Sequence, residues 1–280
     1  MIRVPEQIAG LPLVVSISGG KDSTACALAL REAGLDFRMV FADTGWEAPE
    51  TYEHLDHLRA KLGPIDVVGH PGGMLGAARG YQSFAHRTAR WCTRVLKLQP
   101  IRAYLEAAGD DVVSVVGIRA AESRARAELA ELDDDSTLGT WIWRPILKWS
   151  VADVLEIHHR HGVEVNPLYR RGHDRVGCFP CVFASKSDIA LIAKHAPWRI
   201  DEIRAAEAEV TQLRAEAGKD GQATFFGSRT HGGCAPIDDA VAWARTSRGG
   251  RQLPLIEEDP SGGCFRWGLC EPPVRDGDDP

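Results

Sequence analysis

The stretch S-I-S-G-G-K-D-S-T at residues 16–24 follows the apolar run L-P-L-V-V and decides how the chain is read. Its pattern predicts a short buried strand over 13–18 and an apolar-rich helix over 23–33, ended by Gly34, with two glycines in the turn between them. Such a turn holds an anion, because glycines let backbone N–H groups come close and a helix N-terminus carries partial positive charge. Lys21 adds a mobile cation, and Ser18 and Ser23 add hydroxyl donors. Asp22, itself acidic, is expected to position the loop or a cation rather than touch phosphate. The common triphosphate loop, G-x-x-x-x-G-K-[ST], puts four residues between its glycines. Gly19 and Gly20 are adjacent, so this segment holds phosphate by another geometry.

Residues 37–42 (FRMVFA) read as a second strand running out at Asp43, Thr44 and Gly45, 49–62 as a helix opened by proline, and 65–68 as a third strand. After a Gly-rich loop a helix is expected over 93–108, then the strand DVVSVVGI over 111–118. Residues 131–139 (ELDDDSTLG) read as an acidic surface loop, and WIWRPI (141–146) leads to a helix over 150–161. This alternation predicts an α/β fold, a doubly wound, mostly parallel sheet with helices on both faces. The ligand crevice then lies beyond the carboxyl ends of the strands, where residues 18–23, 43–45 and 117–124 converge. The nucleotide-binding α/β domain is expected over 1–165. A Cys-rich helical and irregular extension follows over 166–270, with a long helix from 198 to 217, and an acidic, disordered tail is expected over 271–280.

The 280 residues are 44% hydrophobic and 26% charged, the balance of a globular protein that builds its own core. The apolar stretches fall short of the roughly 20 residues a membrane helix needs. The start, MIRVPEQIAG, has no charged segment followed by a long apolar one, so a cytoplasmic protein with no membrane partner is expected. A net charge of −6 argues against holding nucleic acid mainly by bulk electrostatics. Seven cysteines, an odd number, suit metal or redox chemistry better than a disulfide framework in that location.

The hexapeptide S-G-G-K-D-S behind a strand resembles the signature of the PP-loop adenine-nucleotide α-hydrolase superfamily. D-T-G-W-E-A-P-E-T (43–51), G-I-R-A-A-E-S-R-A-R (117–126), R-P-I-L-K-W-S-V-A-D-V and N-P-L-Y (166–169) resemble, in order, elements of its phosphoadenosine phosphosulfate (PAPS) reductase family. The resemblance implies that Ser18, Gly19, Gly20, Lys21, Asp22 and Ser23 hold a phosphate attached to adenosine, and that Asp43 and Thr44 lie near the adenosine or a cation. It places Gly117, Arg119 and Arg126 in the same nucleotide site. Arg119 would grip phosphate or sulfate through its planar fork, and Glu122 would hold Arg119 in place. Lys21, Arg119 and Glu122 are thus the expected catalytic residues.

Cys178 and Cys181 form a C-x-x-C whose spacing lets both thiolates point the same way, and Cys92 stands earlier in R-W-C-T-R-V-L-K. Iron–sulfur members of the family show a similar layout, with a Cys-Cys pair before the C-x-x-C, and hold a [4Fe–4S] cluster. The resemblance therefore implies Cys92, Cys178 and Cys181 as ligands. Thr93 stands where the second cysteine of the pair belongs, so the fourth ligand is expected from Cys270, with Cys264 or Cys234 as alternatives. Zinc is the lesser alternative cofactor. Cys26 reads as core, His158, His159 and His161 as a helix end, and Trp141, Trp143 and Trp149 as packing residues.

The resemblance implies an enzyme acting at the α-phosphate of an adenylyl nucleotide. The first expectation is thiol-dependent reduction of adenosine 5′-phosphosulfate (APS) or PAPS to sulfite. The alternative is an ATP pyrophosphatase, working with Mg²⁺, for sulfur transfer to nucleic acid by DNA phosphorothioation or tRNA thiolation. Either needs a thiol or sulfur donor protein. Family reductases carry an E-C-G-L-H-like segment, and G-L-C-E-P-P has similar letters in another order, so the nucleophilic cysteine is not identified. The basic run Arg87, Arg90, Arg94 and Lys97 beside Cys92 supports the nucleic-acid reading.

Overall fold

In strand β1 (Leu13–Ile17), Leu13, Val15 and Ile17 enter one hydrophobic cluster and Val14 another, the period of two of a strand covered on both faces. The computed structural model describes residues 2–86, 89–109, 111–135, 137–226 and 235–247. After β1 come helix α1 (Lys21–Glu32), β2 (Phe37–Asp43), α2 (Pro49–Leu62), β3 (Ile65–Gly69) and α3 (Gly73–Tyr81). A short α4 (Trp91–Thr93) runs through a π turn (Arg94–Leu98) into α5 (Gln99–Ala108), followed by β4 (Val113–Val116), α6 (Arg124–Ala127), β5 (Leu132–Asp135) and β6 (Thr140–Trp143). Helices α7 (Val151–Arg160), α8 (Lys186–His195), α9 (Pro197–Glu216) and α10 (Ile237–Ala244) complete the described chain.

The sheet order is β3-β2-β1-β4-β6-β5, parallel throughout except for β5. The chain steps outward from β1 to β3, then returns to lay β4 on the other side of β1. The crevice of this reversal opens at the carboxyl ends of β1 and β4. Leu28, Leu55, Leu58 and Ile157 of α1, α2 and α7 cover one face of the sheet, and Ile101 and Leu105 of α5 the other. The doubly wound α/β architecture is thus the one expected.

A third cluster joins the segment after β2 to the cysteine-rich region, with Trp46, Leu96, Leu168, Phe179, Ile203 and Phe225 in common contact. The described residues beyond Asn166 therefore pack against the α/β unit through this cluster. No described helix is long and apolar enough to cross a membrane.

Several expectations are corrected. The acidic run over 131–139 is not simply a loop, because Leu132–Asp135 pairs antiparallel with Thr140–Trp143. Leu132 packs on the core, and the buried Arg144 guanidinium takes Asp133 and the Ala130 carbonyl, so the aspartates form a charged edge. The Gly-rich stretch after β3 contains α3, which buries Met74, Ala77 and Ala78 and is preceded by the left-handed Gly72. Helix α1 starts at Lys21, two residues before the expected start, and β4 is shorter than DVVSVVGI. The helix expected over 93–108 runs on from Trp91 to Ala108, with a π turn over Arg94–Leu98 just before Pro100, which has no N–H to give Leu96. Cys26 is core as expected: it is fully buried, and burial pushes its thiol pKa far up. Residues 271–280 lie outside the described residues.

Gly117, just past β4, is required by close approach: a Cβ there would stand 2.6 Å from both the Asp22 carbonyl oxygen and the Ser23 Cα. Gly117→Ala is expected to cost about 1–3 kcal/mol by overpacking, read from the urea unfolding midpoint.

His54 of α2 is buried, and its Nε2 has no hydrogen-bond partner among the described residues. Burial, then the neighbouring His57 and His158, pulls its pKa from 6.5 to about 4. The unfolded chain takes up this proton near pH 6.5 and the native chain only near pH 4, so stability is lost as pH falls through that window. His54→Leu is expected to flatten the loss between pH 7 and pH 5, measured by urea midpoints.

Candidate active site

Gly19 takes φ of +72°, and a Cβ on it would strike Thr51 at 2.8 Å, so the turn after β1 needs glycine on both counts. Gly20 caps α1, and its carbonyl accepts the hydroxyls of Ser23 at 3.0 Å and Thr24 at 3.1 Å. The Ser18 N–H donates to the Ser23 hydroxyl at 3.1 Å. The loop is thereby closed on itself at the N-terminus of α1, the position where a helix receives an anion.

Asp22 carries the electrostatics. Its carboxylate accepts from the Lys21 ammonium at 3.1 Å on one oxygen and from the Arg119 guanidinium on the other. Lys21 is 4% exposed and Arg119 3%, so two buried cations share one carboxylate. Glu122 bonds Arg119 through the backbone, while the Arg119 guanidinium is held by Asp22. Glu122 accepts the Arg119 backbone N–H at 2.8 Å and pairs with the Arg126 guanidinium one helical turn on. Asp22 takes the anchoring role because the close packing at Gly117 brings β4 against the loop.

These groups line one cleft of about 910 Å³. Its lining includes the apolar Phe41, Leu98, Ile101, Val116 and Leu138, the polar Ser18, Gly20, Lys21, Ser23 and Arg119, and the thiols of Cys178 and Cys181. The volume suits a nucleotide. Asp43 lies at the end of β2 and accepts from the Gly45 N–H and the Tyr52 hydroxyl, each at 2.8 Å. Thr44 is fully buried, donates to Glu47 at 2.7 Å and stands 3.8 Å from the Cys178 sulfur.

The C-x-x-C segment is stitched to this strand end. Glu47 and Cys178 form an antiparallel bridge, the Phe179 N–H donates to the Trp46 carbonyl at 2.7 Å, and the Trp46 indole donates to the Pro180 carbonyl at 3.1 Å. Cys92 packs against the same hydrophobic cluster as Cys178 and Cys181 and interacts electrostatically with Cys181. Burial raises the pKa of Cys92 and Cys178, and the Lys97 ammonium partly offsets the rise at Cys178. The charge of Cys178 in turn raises the Lys97 pKa, against the effect of burial. Among the described residues, no group of three or more His, Cys, Asp or Glu side chains is gathered to hold a metal ion. Cys234, Cys264 and Cys270 lie outside the described residues.

Three residues near the loop were read only for their motif or their helix position. Asn166 donates to the Gly19 carbonyl at 3.3 Å and accepts the Leu168 N–H at 3.0 Å. The Tyr169 hydroxyl accepts the Lys21 N–H at 3.3 Å. His158 faces two carbonyl oxygens, Val163 at 2.9 Å and Lys21 at 2.8 Å, and ties α7 to the loop. The N-P-L-Y motif carried the first two, but no local signal in the sequence paired His158 with Lys21.

A profile of the phosphoadenosine phosphosulfate reductase domain matches residues 12–184. The chain belongs to this family. It is 34% identical to an uncharacterised 37.8 kDa protein of Escherichia phage 186, over 87% of this chain and 91% of that one. An uncharacterised protein of Methanocaldococcus jannaschii is 33% identical over 66% of this chain but only 39% of its own length. The adenosine 5′-phosphosulfate reductase of Allochromatium vinosum is 30% identical over 61% of this chain and 68% of that enzyme. The crystal structure of phosphoadenylyl-sulfate reductase from Candida auris, a phosphate complex, shares the fold with a TM-score of 0.50 and 18% identity, over 62% of this chain and 84% of that one.

In this reductase-family cleft, Arg119→Ala removes one buried cation and leaves Asp22 to Lys21 alone. The variant is expected to lower nucleotide turnover by about 100-fold, the size of a lost transition-state oxyanion contact. Steady-state kinetics checks this, with circular dichroism confirming the fold.

Proposed function

We propose that the protein is a thiol-dependent reductase of an adenylyl sulfate, APS or PAPS. The observation that carries the reading is the single cleft in which the phosphate loop, Arg119 and the thiols of Cys178 and Cys181 share walls. The similarity to APS reductases supports the same substrate class. In this reaction a thiolate attacks the sulfate sulfur, the bond from sulfur to the bridging phosphate oxygen breaks, and AMP or its 3′-phosphate leaves with the electron pair. A second thiol then attacks the sulfonated sulfur, forming a disulfide and releasing sulfite. The donor is an external thiol or thiol protein. The loop N–H groups, Lys21 and Arg119 stabilise the charge that gathers on the departing phosphate. The apolar residues of the lining, Ile101, Val116 and Leu138 among them, are the seat we assign to the adenine.

We assign Cys92, Cys178 and Cys181, with Cys270 and otherwise Cys264 or Cys234, to a [4Fe–4S] cluster. The donor set suits it: thiols from two segments against one apolar cluster, with the Lys97 cation near the thiolates. When bound, the cluster would supply a charged, polarisable group held by these cysteines.

The second reading is ATP pyrophosphatase chemistry with Mg²⁺, adenylating nucleic acid for sulfur transfer. Its support is the missing E-C-G-L-H segment and the exposed Arg90 and Arg94 flanking Cys92, with Arg175 on the cleft.

Protein purified without oxygen is expected to release sulfite from APS or PAPS with a thiol donor, to release no pyrophosphate from ATP, and to contain about four irons per chain. Pyrophosphate without sulfite would overturn the reductase assignment, and stoichiometric zinc without iron would overturn the cluster.

A further inference from the structure

His173 lies on the thiol side of the cleft and has no part in the chemistry above. The residue is 4% exposed, and its backbone N–H donates to the Leu168 carbonyl at 3.2 Å. Its Nδ1 stands 3.3 Å from Oδ1 of Asp188, in the first turn of α8. The other Asp188 oxygen takes the Ser185 N–H at 3.1 Å and the Ser185 hydroxyl at 2.7 Å, so the carboxylate is itself fixed by a capping box. Burial works against the charge on Asp188, but the hydrogen bonds from His173 and Ser185 more than offset it and hold its pKa below the usual range. The Phe179 ring packs on the imidazole, with centroids 5.6 Å apart and planes at 62°. Both His173 and Asp188 line the cleft that contains the phosphate loop, Cys178 and Cys181.

With Asp188 ionised, the proton of the imidazole sits on Nδ1, and Nε2 offers a lone pair. Nε2 has no hydrogen-bond partner among the described residues. This is the arrangement of a base oriented by a carboxylate, in the cleft that also contains the phosphate loop. We infer that His173, oriented by Asp188, is the general base that deprotonates the attacking thiol. The inference rests on the reductase reading. The thiol S–H proton passes to Nε2, the thiolate forms its bond to the sulfate sulfur as the bond to the phosphate oxygen breaks, and the imidazolium returns the proton to solvent or to the released sulfite. The electron balance is that of the two-thiol reaction, with no further oxidant or reductant. Asp188 is the ionisable side chain in contact with the ring. Asp174, Arg175, Cys178 and Cys181 line the same cleft nearby in the chain, and Lys21, Lys97 and Arg119 line it from other elements.

The test compares wild type with His173→Gln, whose amide can still donate to Asp188. AMP affinity, measured by calorimetry, serves as the control for an intact nucleotide site and is expected to be unchanged. With an ordinary alkyl thiol at pH 7, sulfite release is expected to fall about 100-fold, the lower end of general-base contributions. The variant is expected to recover towards the wild-type rate with a more acidic thiol, or as pH approaches the pKa of the thiol itself. A loss that is equal for both thiols at every pH reports a structural role and overturns the inference, as does an unchanged rate. If wild type yields no sulfite from either nucleotide, the reductase reading falls and this inference falls with it. Sulfite from wild type with an indifferent His173→Gln overturns this inference alone.

Discussion

The carboxylate of Asp22 stands between Lys21 and Arg119, and the geometry of the cleft depends on it. Three charged groups removed from water are tolerated only when each is paired, because an unpaired buried charge costs several kcal/mol. Asp22 sits in the first turn of α1 and Arg119 just past β4, so the pairing locks the phosphate loop to the far side of the topological switch. The trio retains one positive charge in excess, held at a helix N-terminus that already favours anions.

The thiol side is built by a different device. Backbone bonding between Trp46–Glu47 and Cys178–Phe179 extends the end of β2 into the cysteine segment. Thr44 and Glu47 then lie between the nucleotide side and the Cys178 sulfur, and Arg199 reaches in from α9, donating to the Glu47 carbonyl at 3.0 Å while stacking on Trp46 at 4.2 Å. Distant parts of the chain thus meet on one strand end.

The loop, the strands β1 to β4 and the crevice could be read from the sequence because their signals are local: an apolar run, a glycine pair, a helix pattern. Strand β5 could not, since its aspartates look like a solvated loop until Leu132 meets the core and Arg144 pairs with Asp133. Helix α3 was hidden by its glycines, and the short α4 and the turn after it by the absence of any sequence mark for a π turn. At the site, residue types were readable while partners were not. Glu122 and Arg119 lie in one motif and do bond through the Arg119 backbone, whereas the guanidinium is held by Asp22 from another element. The contacts of His158 and His173 join residues that no periodicity relates.

The π turn at Arg94–Leu98 has a consequence for how the cleft wall is made. Thr93, Lys97, Leu98 and Ile101 all line the cleft, although in an unbroken α-helix positions five apart such as Thr93 and Leu98 diverge by roughly 140°. A π turn closes its ring over five residues and narrows that angle. The extra residue widens the stripe that one helix can present, so a single segment contributes both a cation near the thiols and part of the apolar seat. Removing one residue there would restore an ordinary helix at the cost of one of the two, which makes the length of this turn, as much as its composition, a determinant of the site.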